Sequence, residues 1–98
     1  MSVNLTKQYP PIISGSFAGT GQSAPFNPPV GPFNLSISGI SSSTVTVERS
    51  FDEGSTWKTV QSISADAELE ADQVEAGVLW RFNCGTYGSG TILYRGSR

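Results

Sequence analysis

The chain contains no histidine and a single cysteine, Cys84, in 98 residues. Metal sites of His and Cys ligands are thereby excluded, as are nucleophile systems that pair Ser or Cys with a histidine base. One cysteine forms no intrachain disulfide, so this is not a small secreted scaffold held by bridges. Charge is scarce at 14%, and the six basic residues, Lys7, Arg49, Lys58, Arg81, Arg95 and Arg98, are scattered singly in a chain of net charge -2. A phosphate-binding face needs clustered cations, which excludes nucleic acid as a partner. No run approaches the roughly 20 apolar residues of a membrane span, and the opening "MSVNLTKQYPP" lacks the basic-then-apolar layout of a secretory signal. The expectation is a protein assembled in a cytoplasm, with no membrane partner.

Gly, Ser, Thr and Pro are abundant beside a hydrophobic share of only 37%, a composition that favours short strands joined by many turns. All six prolines, Pro10, Pro11, Pro25, Pro28, Pro29 and Pro32, fall in residues 1–32. Each lacks a backbone donor and restricts the residue before it, so this third reads as an extended arm, with one possible edge strand in "IISGSFAGTG". Tyr9, Ile12, Ile13, Phe17 and Phe26 are apolar anchors along it and are the candidate interaction residues. Two readings stay open: the arm wraps its own domain, or it reaches a neighbouring subunit.

From Phe33 the pattern becomes period two and defines a second region, residues 33–98. In "FNLSISGI", Phe33, Leu35 and Ile37 alternate with Asn34, Ser36 and Ser38, and in "STVTVERSF", Val45, Val47, Arg49 and Phe51 alternate with Thr44, Thr46, Glu48 and Ser50. The short "ISSS" between them suits a hairpin connection. "TWKTVQSIS" is strand-like and closes at Ile63. "ADAELEADQVEAG" carries Asp66, Glu68, Glu70, Asp72 and Glu75 without a basic residue and reads as a long acidic loop over 66–75. Two further strands, "GVLWRFNCGT" and "GTILYRGSR", flank the turn "YGSG"; Val78, Trp80, Phe82 and Cys84 share one face of the first. The expected fold is all-β, a small antiparallel β-sandwich or barrel of about six to eight strands with an extended Pro-rich N-terminal arm.

Between two of these strands lies "SFDEGSTW", Ser50 to Trp57, which fits Ser-x-Asp-x-Gly-x-Thr-Trp at every fixed position. Physically it is a hairpin corner. Gly54 supplies a positive-φ position, Asp52 accepts hydrogen bonds from loop amides, Ser50 and Thr56 tie the strand ends, and Trp57 buries area beside Phe51. The octapeptide resembles the Asp-box, a hairpin element repeated in sialidases and found singly in many unrelated β proteins. The resemblance implies a structural role away from any active site, so it imports no chemistry. Arg49, Arg81 and Arg95 as a carboxylate-binding trio would need to converge from separate strands.

Other chemistry finds few residues. Asp52 with Glu53 sits at a turn tip, where adjacent carboxylates point apart instead of facing each other across a cleft. Asp66, Glu68, Glu70 and Asp72 lack the glycine and terminal bidentate Glu of an EF-hand loop. The expectation is no catalytic residue, no cofactor and no metal. Trp57, Trp80, Tyr87 and Tyr94 are candidates for a sugar-stacking platform, with Trp80 assigned by its alternation to the core and Tyr87, in the turn, to the surface.

"PFNLSISG", "TVTVERSFDEGSTWKTV" and "EAGVLWRFNCGTYGSGTILYR", in that order, resemble small β-sandwich structural proteins of tailed bacteriophages, over roughly residues 15 to 95. The resemblance implies a non-enzymatic virion component. The leading expectation is a capsid decoration or cement protein that binds the assembled head, with the major capsid protein or another virion protein as partner. It would form a homo-oligomer, a trimer by preference, and its arm, Tyr9 to Phe26, would contact adjacent subunits. A tail, neck or fibre component and a carbohydrate-binding attachment module are the alternatives.

Overall fold

The computed structural model describes residues 11–98. They form eight strands, β1 (Ile13–Phe17), β2 (Gly21–Gln22), β3 (Gly31–Ser38), β4 (Thr44–Ser50), β5 (Lys58–Ile63), β6 (Ala67–Gln73), β7 (Leu79–Thr86) and β8 (Ile92–Ser97). The strands make two four-stranded sheets, in the orders β1-β8-β3-β6 and β2-β7-β4-β5. Every pairing is antiparallel. The fold is an all-β sandwich, as the alternation predicts.

The inward positions are those the period-two pattern marks. Phe33, Leu35 and Ile37 of β3 and Ile92 of β8 face Val45 and Val47 of β4 and Trp80, Phe82 and Cys84 of β7, all buried. Phe33 meets Trp80 edge-on at 5.0 Å between ring centroids, and Phe82 packs against Tyr94 at the same separation. Aromatic contacts of this kind account for much of the packing in a core of this size.

Two expectations are corrected by the sheet topology. The segment 66–75 is not a loop: residues 67–73 form β6, paired with β3 from Gly31↔Gln73 to Ile37↔Ala67. Its small apolar residues Ala67, Leu69 and Ala71 point inward while Glu68, Glu70 and Asp72 point to solvent, so the acidic residues mark a solvated strand face. "ISSS" does not close a hairpin, because β3 and β4 belong to different sheets; the segment is an arch across the sandwich, as is the "YGSG" turn between β7 and β8. The two arches pack on each other: Gly88 N–H donates to Ser43 Oγ at 2.8 Å, and a side chain at Gly39 (φ 82°) would strike the carbonyl of Thr91. Finally, residues 11–32 are integrated into the sandwich. The strand expected in "IISGSFAGTG" is present as β1 on the edge of its sheet, joined by β2 on an edge of the other. Phe26 bridges to Trp80 through paired backbone bonds of 2.8 Å.

Candidate functional site

The octapeptide builds the only consecutive-strand hairpin among the described residues, joining β4 to β5. Glu53 and Gly54 take positive φ values of 61° and 91° to turn the chain. Asp52 Oδ1 accepts from Ser50 Oγ at 2.7 Å and from the Thr56 amide at 2.9 Å, while Oδ2 accepts from Thr56 Oγ1 at 2.6 Å. Ser50, fully buried, accepts in turn from the Gly54 amide at 2.8 Å. Hydrogen bonds from the Thr56 side chain and amide, then from Ser50, hold the Asp52 carboxyl down to about 2 from an ordinary 3.8. Both carboxylate oxygens thus serve the turn. Phe51 is 59% exposed, and Trp57 is held by other contacts. Its ring lies under the Arg81 guanidinium at 4.3 Å, and its Nε1 donates to Gly54 O at 3.1 Å.

Arg81 anchors a second polar cluster on the outer face of the β2-β7-β4-β5 sheet. Its Nε donates to Glu48 Oε1 at 2.8 Å, the one ion pair among the described residues. Glu48 Oε2 accepts from Asn83 Nδ2 at 3.1 Å and from Thr46 Oγ1 at 3.2 Å. Burial raises the Glu48 pKa, but the bonds from Asn83, Arg81 and Thr46 outweigh it and the net shift is downward. Cross-strand neighbours on one sheet face create this array, and its members satisfy one another.

The three arginines do not converge. Arg49 lies over the Phe51 and Trp80 rings at 5.2 and 5.7 Å. Arg81 and Arg95 lie on the outer faces of opposite sheets, so a carboxylate-binding trio is ruled out by topology. The sugar platform fares no better: Trp80 is buried, Trp57 is covered by Arg81, and Tyr87 is half-buried against the core with its hydroxyl donated to Gly90 O.

The outer face of the β1-β8-β3-β6 sheet is flatter and less committed. The register sets Ser14, Arg95, Ser36 and Glu68 in one cross-strand row, and Ser97, Asn34 and Glu70 in the next. All of these except Ser14 line a shallow cleft of about 580 Å³. Arg95 has no carboxylate within 4.0 Å among the described residues. A third feature opens where β5 and β6, edge strands of opposite sheets, leave the sandwich unsealed. Here a cleft of about 160 Å³ is lined by Val60, Leu69 and Ala71, with Glu70 and Asp72 at its rim and Trp80 in its depth.

The residues proposed from sequence as arm contacts separate in the structure. Tyr9 lies outside the described residues. Phe17 and Phe26 are 6% and 5% exposed and belong to the chain's own core. Ile12 and Ile13 are half-buried against that core. From Ile12 to Phe26 the arm packs on its own domain, one of the two readings the sequence leaves open. Sequence reasoning missed Gln73, which sits 1% exposed between the sheets. Its Nε2 donates to Val78 O and its Oε1 accepts from Trp80 Nε1, both at 2.8 Å. The signal was present in the alternation Ala67, Leu69, Ala71, Gln73, but the carboxylates between them masked it.

No protein-family description matches the chain, and no curated protein matches it. Among solved structures it is similar to the crystal structure of Yersinia pseudotuberculosis-derived mitogen (YPM), at a TM-score of 0.53 and 12% identity, covering 87% of this chain and 81% of that one. A likeness at that identity concerns the fold.

Proposed function

We propose that the chain is a non-enzymatic structural protein of a tailed-bacteriophage virion, a decoration protein that binds the assembled head and supports contacts between capsid subunits. The observation that carries this reading is how the polar side chains are used. Asp52, Ser50 and Thr56 are consumed in closing one turn, and Glu48, Arg81, Asn83 and Thr46 in bonding one another. Such groups are spent on rigidity, which suits a part whose task is to occupy a surface. The ordered likeness of three strand segments to small phage sandwich proteins supplies the setting.

A one-core domain of this size has a net stability of only a few kcal/mol, so a partner that binds the folded form stabilises it by mass action. The major capsid protein is the proposed partner, and a homotrimer the proposed state. An arm contact to a neighbour is tested by removing residues 1–10, because removing 1–20 would also delete β1 and the core residue Phe17. The likeness to YPM carries no function to this chain.

Quantitative mass spectrometry of purified virions, with copy number normalised to the major capsid protein, tests the proposal. Hundreds of copies per particle are expected. A dozen or fewer would move the protein to a vertex, neck or tail, and absence from particles would overturn the virion reading.

A further inference from the structure

We propose that the free edge of β5 in one copy pairs antiparallel with the free edge of β6 in the next, so that copies close into a ring with their β5–β6 clefts turned to a common axis. The inference deepens the homotrimer proposed above and rests on it only for the number of copies in the ring. Among the described residues β5 pairs with β4 alone and β6 with β3 alone. In an antiparallel strand every second residue turns its N–H and C=O away from a given neighbour, so these two edges present unpaired backbone groups on the same side of the sandwich. The cleft of about 160 Å³ between them leaves Val60 43% exposed and is walled by half-buried Leu69 and Ala71. Val60 is the extra residue of a bulge, since Val47 pairs with Gln61 and Glu48 with Thr59. The bulge interrupts the edge of β5 but leaves Gln61–Ile63 regular, and it adds an apolar side chain to the cleft. Clefts turned together bury apolar surface against apolar surface.

Strand direction fixes how the copies can meet. β5 starts from the Ser50–Trp57 hairpin and runs away from it, whereas β6 runs toward that end: Gln73 bonds Val78 O, and the following Leu79 lies opposite Ser50. β5 and β6 of one copy are therefore antiparallel. A rotation axis parallel to the strands preserves both directions, so it brings β5 of one copy antiparallel to β6 of the next, whatever the number of copies. A twofold axis across the strands would instead set β6 against β6, carboxylates opposite carboxylates, an arrangement that destabilises a sheet. Each copy thus gives one edge and receives the other, a heterologous contact that a rotation of one third closes into a trimer.

The side chains of the two edges suit this pairing. β5 carries no acidic residue and one lysine, Lys58, while β6 carries Glu68, Glu70 and Asp72 and no cation. Thr59 and Ser62 pair with the outward-facing Glu48 and Thr46, so they share the outer face and bring hydroxyl donors to the side of the sheet on which the β6 carboxylates stand. On the inner face Gln61 pairs with Val47, and Lys58 with Arg49. Rotation about an axis along the strands leaves every residue at its own height. Arg49 lines the cleft together with Glu70 and Asp72, so it stands level with those two carboxylates of the next copy as it does with its own, and Lys58 stands beside it. The seam opposes no carboxylate to another.

The test uses the isolated full-length chain, with no particle present. Sedimentation equilibrium is measured for this chain, for Val60→Asp and for Leu93→Asp, and NMR of mixed labelled and unlabelled copies detects intermolecular contacts. Concentration-dependent assembly to a trimer is expected, with contacts between Lys58–Ile63 of one copy and Ala67–Gln73 of another. The Val60→Asp chain should keep its native tryptophan fluorescence while its dissociation constant rises by about tenfold or more, because the carboxylate would be closed into an apolar interface. Leu93 is 55% exposed on the outer face of β8, away from both edges, and Leu93→Asp should leave association unchanged. A chain that stays monomeric at its highest soluble concentration would overturn the proposal. So would an oligomer indifferent to Val60→Asp, or one whose contacts map to Ile13–Phe17 or to the outer faces. A dimer with the expected contacts would uphold the seam and overturn the homotrimer, and copy number in virions is untouched by any of these results, so the proposals fail separately.

Discussion

Gln73→Met is the substitution that most directly tests how β6 is locked to the core. Methionine keeps the approximate length of the glutamine side chain, so lost volume contributes little. What disappears is the pair of 2.8 Å bonds to Val78 O and from Trp80 Nε1. Trp80 is 2% exposed, so its indole N–H would be left without a partner in a site water does not reach. An orphaned buried polar group costs roughly 1–3 kcal/mol, and two of them give a loss of about 3 kcal/mol. With a urea m-value of about 1.5 kcal/mol/M for a domain of this size, the unfolding midpoint should fall by about 2 M at unchanged m. The double-mutant cycle with Trp80→Phe isolates the indole bond. Phenylalanine removes the N–H, so Gln73→Met should cost about 1 kcal/mol less in that background. A midpoint shift below about 0.4 M, or a cycle with no coupling, would refute the idea that Gln73 ties the acidic strand to the aromatic core.

Two other outcomes follow from the same structure. Gly15 of β1 lies opposite Tyr94 of β8, and a methyl group there would overlap the phenol ring; Gly15→Ala should therefore destabilise by about 1–3 kcal/mol through overpacking, read as a fall in Tm, and an unchanged Tm would contradict the cross-strand contact. Asp52 and Glu48 both have folded pKa values below their ordinary 3.8 and 4.5, so the stability they confer is present above the ordinary values and is lost as pH falls through the folded ones. Urea midpoints measured from pH 5 to about 2 should decline, and Asp52→Asn with Glu48→Gln should flatten that decline; a double variant with the same acid slope would show that the loss arises elsewhere.

Much of the sandwich was legible in local pattern. Alternation over Phe33–Ile37, Val45–Val47 and Val78–Cys84 picks out which side chains enter the core, because a strand's period of two is a property of the backbone. Ser50–Trp57 specifies its own turn for a similar reason: the bonds that Ser50 and Thr56 donate to Asp52 span at most four residues, so the octapeptide contains nearly all the information needed to fold it. Composition likewise removed whole classes of chemistry, since a chain without histidine and with one cysteine cannot assemble the sites that require them.

Other features depended on contacts between residues far apart in the chain. Turn residues at 40–43 and 87–90 announce a reversal, yet whether the next strand pairs with the last or crosses to the opposite sheet is settled by which faces bury together. The acidic run 66–75 read as solvated, and its carboxylates are; only the partner strand β3 turns the residues between them into an inner face. Gln73 is polar in isolation and becomes a core residue because Trp80 and Val78 complete its hydrogen bonds. Phe17 and Phe26 show the same dependence in the opposite direction: their segment carries the prolines of an arm, but the space beside Phe82 and Tyr94 takes both rings. Periodicity and turn chemistry are written locally, whereas strand order, the buried amide and the inclusion of residues 11–32 in the core come from long-range packing, in which the value of a side chain depends on what folds against it.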